Sequence, residues 1–230
     1  MPDFAIERRS KGIVCGIDEA GRGPLAGPVV AAAVILDPRR FPRVLRDGLD
    51  DSKVLSAAER EACYRTLRRC AARGTVHIGV GAASAREIDR INILRAALLA
   101  MARATAALGR YPDLALVDGN MAPPLACAVT TVVKGDGLSF SIAAASVVAK
   151  VTRDRIMRAL AMRYRGYGWE TNVGYATREH GVAIRALGPT PHHRRSFAPV
   201  RAALAGELPL LEELSPELTE PELIDSAEIA

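Results

Sequence analysis

The sequence predicts an α/β domain: a mixed β-sheet flanked by helices, with a helical C-terminal extension. Three observations carry that expectation. Short β-branched runs come first in the chain, later strands alternate with segments of helical periodicity, and the run Val29 to Leu36 is apolar at every position, as suits a strand covered on both faces. A chain of 230 residues with 49% hydrophobic and 25% charged residues fits one globular domain, and excludes disordered and fibrous classes.

The elements follow in order. Gly12 to Ile17 is a short apolar strand that ends in Asp18-Glu19, and a glycine-rich link, Gly21 to Gly27, leads into the strand Pro28 to Leu36. Prolines, Gly48 and charges mark a loop from Asp37 to Lys53. Ser56 followed by Glu59 is a capping box, and it predicts a helix that runs to Gly74. Thr75 to Val80 alternates as a strand, and Asn92 to Leu108 has helical periodicity with Gly109 as its stop. Two short strands come next: Leu114 to Val117 ends in Asp118-Gly119, and Cys127 to Val133 leads into Lys134-Gly135-Asp136-Gly137. Ile142 to Tyr164 is the longest predicted helix, and its Ala- and Val-rich first turns are expected against the core. Helical patterns at Thr177 to Leu187 and Val200 to Ala205 flank the segment from Pro189 to Pro199. No internal repeat is visible.

Charge divides the chain. The total of 31 Lys plus Arg against 26 Asp plus Glu gives +5, yet no basic residue follows Arg201 and eight acids lie beyond residue 206. Residues 1–206 therefore carry +13, which points to a polyanionic partner. With Pro209, Pro216 and Pro221 interrupting it, the acidic segment 207–230 is expected to be a mobile tail on a domain spanning 1–206. Cys15, Cys63, Cys70 and Cys127 form no CxxC pair and have no His at ligand spacing, so buried thiols are expected rather than a zinc site or disulfides. The N-terminus lacks the apolar core of a signal peptide, and no run of 18 uncharged apolar residues occurs. A cytoplasmic protein without a membrane span is the expectation.

Asp18, Asp118 and Asp136 each follow a predicted buried strand and adjoin a glycine turn. If the strands are neighbours, these carboxylates meet at one sheet edge beside Glu19, and hard oxygen ligands of this kind suit Mg²⁺ or Mn²⁺. Two such ions about 4 Å apart can activate water and stabilise the leaving oxygen of a phosphodiester. Ordinary turn chemistry is the alternative for any single Asp. Adjacent Asp18 and Glu19 also resist the simple picture, because successive strand side chains point to opposite faces unless the strand ends or bulges. The glycines of Gly21-Arg22-Gly23-Pro24-Leu25-Ala26-Gly27 would let backbone approach a phosphate, but the segment matches neither GxGxxG nor GxxxxGK.

The stretch Asp18-Glu19-Ala20-Gly21-Arg22-Gly23-Pro24-Leu25-Ala26-Gly27-Pro28 resembles the signature that opens type 2 ribonucleases H, the bacterial ribonuclease HII enzymes. Further segments resemble that family in order: Asp51-Ser52-Lys53, Val117-Asp118-Gly119-Asn120, Lys134-Gly135-Asp136 and Ser141 to Asp154. Gly166-Tyr167-Gly168-Trp169, Gly174-Tyr175-Ala176-Thr177, Glu179-His180-Gly181 and His193-Arg194-Arg195-Ser196-Phe197 complete the set, which covers roughly residues 12–200.

The resemblance implies a ribonuclease H-like fold and an endonuclease that uses two divalent cations, Mg²⁺ or Mn²⁺. It would hydrolyse RNA in RNA–DNA hybrids, incise at ribonucleotides embedded in duplex DNA, leave 3′-hydroxyl and 5′-phosphate ends, and serve ribonucleotide excision repair. Asp18, Glu19, Asp118 and Asp136 map onto the family's catalytic, metal-binding carboxylates. Gly21, Arg22, Gly23 and Tyr175 map onto the positions at the ribose 2′-hydroxyl, the group that tells RNA from DNA. Lys53 and Lys150 are candidates for phosphate contact, followed by Arg153, Arg194 and Arg195. His192 and His193 are expected to be phosphate-facing or structural, and His180 a hydrogen-bonding residue rather than a metal ligand. A monomer is expected. The tail segment Glu207-Leu208-Pro209-Leu210-Leu211 is similar to short peptides that dock on replication clamps, a possible partner. Two competing readings are a non-catalytic nucleic-acid-binding protein, which the charge alone would suit, and a nuclease of the same fold that cuts plain DNA.

Overall fold

The structure is a computed structural model that describes residues 1–49, 52 and 54–206. Lys53 and the tail 207–230 lie outside the described residues. A five-stranded sheet forms the centre, built from β1 (Val14–Ala20), β2 (Val29–Leu36), β3 (Val76–Ala83), β4 (Leu114–Asp118) and β5 (Ala128–Val132). Its order is β3-β2-β1-β4-β5. β1, β2 and β3 pair antiparallel, whereas β4 lies parallel to both β1 and β5, so the sheet is mixed.

The described helices are α1 (Ala5–Arg9), α2 (Arg43–Gly48), α3 (Ala57–Ala72), α4 (Ala85–Ile91), α5 (Ile93–Ala106), α6 (Phe140–Arg163), α7 (Trp169–Asn172), α8 (Arg178–Leu187) and α9 (Ala198–Ala205). The Ser56–Glu59 capping box opens α3, and a second, Ser84–Glu87, opens α4. The short helices α1, α2, α4 and α7 are absent from the sequence expectation, because four to seven residues hold too few turns for a 3.6-residue period to stand out.

Helices cover both faces of the sheet. On one face, Ala32, Val34 and Leu36 pack with α6 and α3 residues such as Val147, Val148 and Leu67. On the other, Cys15, Ile17, Ala31 and Ala33 pack with Ala96, Ala100, Met101 and Ala104 of α5. This two-sided burial explains why β2 is apolar throughout. Each fully buried Ile or Val contributes roughly 1.5–3 kcal/mol, and α6 supplies the largest continuous buried run, Phe140 to Ala149. Its start is pressed onto β1 at Gly16, where an added Cβ would lie 2.1 Å from the Ser141 carbonyl carbon. A third cluster, with Trp169, Tyr167, Ile184 and Val200, forms the C-terminal helical extension against Leu25 and Met157. Cys15, Cys63 and Cys70 are buried free thiols, as expected, whereas Cys127 is only half-buried.

Candidate active site

Register places two of the carboxylates side by side. Ile17 pairs with Val117 across parallel β1 and β4, so Asp18 and Asp118 each stand one step beyond the same rung. Alternation puts them on the α6 face with Gly16 and Leu116, while Ile17 and Val117 face α5. Asp136 arrives from a 3-10 turn, Gly135–Gly137, that links β5 to α6. Carboxylate oxygens of Asp18, Asp118 and Asp136 all lie within 4.8 Å of one another. Backbone donors hold all three in place: Glu19 N–H donates to Asp18 Oδ1 at 2.7 Å, Gly135 N–H to Asp118 Oδ1 at 2.7 Å, and Gly137 N–H to Asp136 Oδ1 at 3.0 Å.

Glu19 stands beside this trio rather than in it. β1 runs regularly through both residues, so alternation turns Glu19 away from Asp18, and Arg22 Nη1 meets its Oε1 at 3.4 Å. Burial pushes the Asp18 carboxyl well above its ordinary range, and the negative charges of Glu19 and Asp118 push it further. Glu19 is also raised, chiefly by burial; Arg22 opposes the shift and Asp118 adds to it. Charged oxygens this close, in a site this dry, call for a compensating cation. The all-oxygen donor set fits a hard divalent ion such as Mg²⁺ or Mn²⁺.

Sequence reasoning missed Ser146 and Ser52. The Ser146 hydroxyl bonds the Asp18 carboxylate and lies 2.6 Å from the Ser52 hydroxyl, which ties the loop before α3 to the carboxylates. The available signal was helical spacing: Ser146 is one turn before Lys150 on α6.

The Gly21–Pro28 loop is held from behind by two buried arginines. Arg194 donates to the carbonyls of Gly27 at 3.1 Å, Arg22 at 2.6 Å and Gly21. Arg153 donates to Pro28 at 3.1 Å, Ala26 at 3.1 Å and Val173 at 3.0 Å. Both are fully buried, which corrects the expectation that they reach phosphate: their forks are spent on backbone carbonyls. Gly21 has φ +95, and a Cβ there would meet Arg153 Nε at 2.0 Å. The signal for Arg153 was its place on the stripe Ser146, Ala149, Arg153, Met157, one buried face of α6. Arg195 stays at the surface, where its N–H donates to Asp89 at 3.0 Å.

Tyr175 belongs to the same corner. Gly174 accepts from the N–H groups of Leu25 and Ala26, so residues 173–175 pair with the loop, and Tyr175 Cε1 lies 3.9 Å from where a Gly23 side chain would begin. The Tyr175 ring is partly exposed, with Lys150 Nζ 5.8 Å from its centroid. Lys150 also pairs with Asp154 at 3.1 Å. The structure thus gathers Asp18, Asp118 and Asp136 with Glu19 alongside, and sets Gly21, Arg22, Gly23, Tyr175 and Lys150 around a second, adjoining surface. His180 and His193 are buried and hydrogen-bonded, not exposed to phosphate.

Comparison with known proteins gives one consistent likeness. A family model described as Ribonuclease HII matches residues 15–200. Ribonuclease HII of Paramagnetospirillum magneticum is 61% identical over 200 residues, covering 87% of this chain and 97% of that protein. Among solved structures, ribonuclease H2 from Pyrococcus horikoshii OT3 superposes with a TM-score of 0.69 at 27% identity, covering 85% of this chain and 98% of that one. Ribonuclease HII from Archaeoglobus fulgidus, solved in a complex with PCNA, gives 0.66 at 26% identity, covering 80% and 95%.

Proposed function

The chain belongs to the ribonuclease HII family, and from that premise we infer that Asp18, Glu19, Asp118 and Asp136 form its metal-binding catalytic centre. It is a metal-dependent endonuclease that hydrolyses the RNA of RNA–DNA hybrids. The observation that carries the residue assignment is the convergence within 4.8 Å of three carboxylates, from β1, from the end of the adjacent β4 and from the turn that follows β5. Divalent cations held there supply water activation and charge stabilisation at the leaving oxygen.

The chain's own residues do the rest. The Gly21-Arg22-Gly23 backbone and the Tyr175 ring meet the ribose beside the scissile phosphate, where the 2′-hydroxyl separates RNA from DNA. Lys150, and Lys53 outside the described residues, contact phosphate as compact point charges. This arrangement acts on one sugar, so the same site incises at a lone ribonucleotide within duplex DNA and leaves 3′-hydroxyl and 5′-phosphate ends. The protein works as a cytoplasmic monomer; among the described residues no helix is long and apolar enough to cross a membrane. Residues 1–206 form the catalytic unit, and the acidic tail contacts a replication clamp, a reading that the PCNA complex of the Archaeoglobus relative supports.

Cleavage of a duplex with one ribonucleotide, alongside a long hybrid, tests the assignment. Asp118→Asn is expected to abolish Mg²⁺-dependent cutting of both while duplex binding persists. Undiminished cutting would overturn the metal-site assignment, and a Tyr175→Ala variant that loses both activities equally would overturn the 2′-hydroxyl role.

A further inference from the structure

A chain of buried imidazoles runs behind Tyr175. His180 Nδ1 lies 2.7 Å from the Tyr175 carbonyl oxygen, which can only accept, so Nδ1 carries the proton. His180 Nε2 is then an acceptor, and Trp169 Nε1–H donates to it at 3.0 Å. His193 Nδ1 accepts from the Thr190 N–H at 2.9 Å, which leaves its Nε2–H to face His180 Nε2 at 3.1 Å. Every proton in the chain is fixed by its partners, and all point one way, from Thr190 through His193 and His180 to Tyr175.

The last member joins two parts of the site. The backbone of His193 bridges Ala26 in the glycine loop, while His180 grips the residue whose ring rests against Gly23. We propose that His180 is a positioning residue for Tyr175, its Nδ1–H fixing the Tyr175 carbonyl so that the ring is held at the loop that meets the ribose. Tyr175 O also accepts from Thr177 N–H at 2.9 Å, so His180 supplies the second bond to that carbonyl. Trp169, His180 and His193 are buried, so the clamp is dry and the bond does not exchange with water. The inference rests on the reading that Tyr175 meets the ribose.

Two substitutions separate this role from simple packing. His180→Asn keeps an N–H donor where Nδ1 stands and gives up the Nε2 end; His180→Gln reaches the Nε2 end but offers nothing to Tyr175. Cleavage of a duplex with one ribonucleotide is followed as kcat and KM, with melting temperature measured on each variant. Because small misplacement of a contacting group lowers turnover steeply, His180→Gln is expected to lose roughly tenfold to a hundredfold in kcat with KM little changed, and His180→Asn to recover most of it. Equal activity of the two variants, or activity that follows melting temperature whichever end is kept, would overturn the inference while Tyr175→Ala remains impaired. A Tyr175→Ala variant as active as the parent would overturn the ribose reading itself, and the role of His180 with it.

Discussion

Arg153 and Arg194, 41 positions apart in the sequence, grip the same loop with five hydrogen bonds to carbonyls from Gly21 to Pro28, and Arg153 gives a sixth to Val173. Neither bond set includes a carboxylate. Burial, and then the like charge of Arg153, bring the Arg194 guanidinium down to about 9. Two cations behind one loop leave its outer surface favourable to a phosphate, while the carbonyls satisfy their donors.

Arg194→Lys keeps the charge and loses the planar fork. With three carbonyls sharing one ammonium, the expected cost is about 2–3 kcal/mol of folding stability. Urea denaturation measures that cost. Cleavage of a single-ribonucleotide duplex should fall further than Mg²⁺ affinity does, since the carboxylates are held by other bonds.

Gly21→Ala puts a methyl group where Arg153 Nε now lies, on backbone at φ +95. Loss of cleavage with the fold retained is the expected result, read from circular dichroism and a turnover assay, and the strain at φ > 0 alone costs on the order of 1 kcal/mol.

Asp18→Asn removes a buried carboxyl that burial, and then the charges of Glu19 and Asp118, push well above its ordinary range. Without divalent cations the variant should melt roughly 2–6 °C above the parent. Adding Mg²⁺ should raise the melting temperature of the parent and leave that of the variant unmoved. Thermal unfolding with Mg²⁺ or chelator decides this.

Acid should undo the imidazole chain. His193 is pushed down to about 3, first by burial and then by the neighbouring His180, so it is neutral in the folded protein. In the unfolded chain its pKa is about 6.5, so the unfolded state binds the extra proton first. Stability is therefore complete above that value and falls as pH drops toward 3; by pH 5 His193 alone accounts for about 2 kcal/mol. Denaturation midpoints at pH 7.5 and pH 5 should differ accordingly, and His193→Asn should shrink the difference.

The sheet and its carboxylates were readable because strand ends announce themselves. Asp18 and Asp118 stand where apolar runs give way to glycine turns and register brings them together, whereas β5, which leads to Asp136, is largely exposed rather than buried as expected. What a linear reading could not supply was the direction of each side chain. Arg153 shares the buried stripe of α6, but Arg194 looks like any surface arginine, and only its burial against carbonyls assigns it to the scaffold. The difficulty with adjacent Asp18 and Glu19 resolves without a bulge, since β1 stays regular and Glu19 turns toward Arg22. Short α4 escaped notice because its signal is a cap, not a period, and the single turn of α7 carries neither.

The bond from Arg194 to Gly21 spans 173 positions of chain. A ribosome making this protein delivers all four carboxylates by Asp136, yet the clasp behind the glycine loop arrives only near the end of synthesis. The glycine loop is therefore translated early and braced late: Gly21 to Gly23 precede Asp118 and Asp136, whereas Arg194 comes after all four carboxylates. A polypeptide that stops before Arg194 carries the loop without the three hydrogen bonds that this residue gives to its carbonyls.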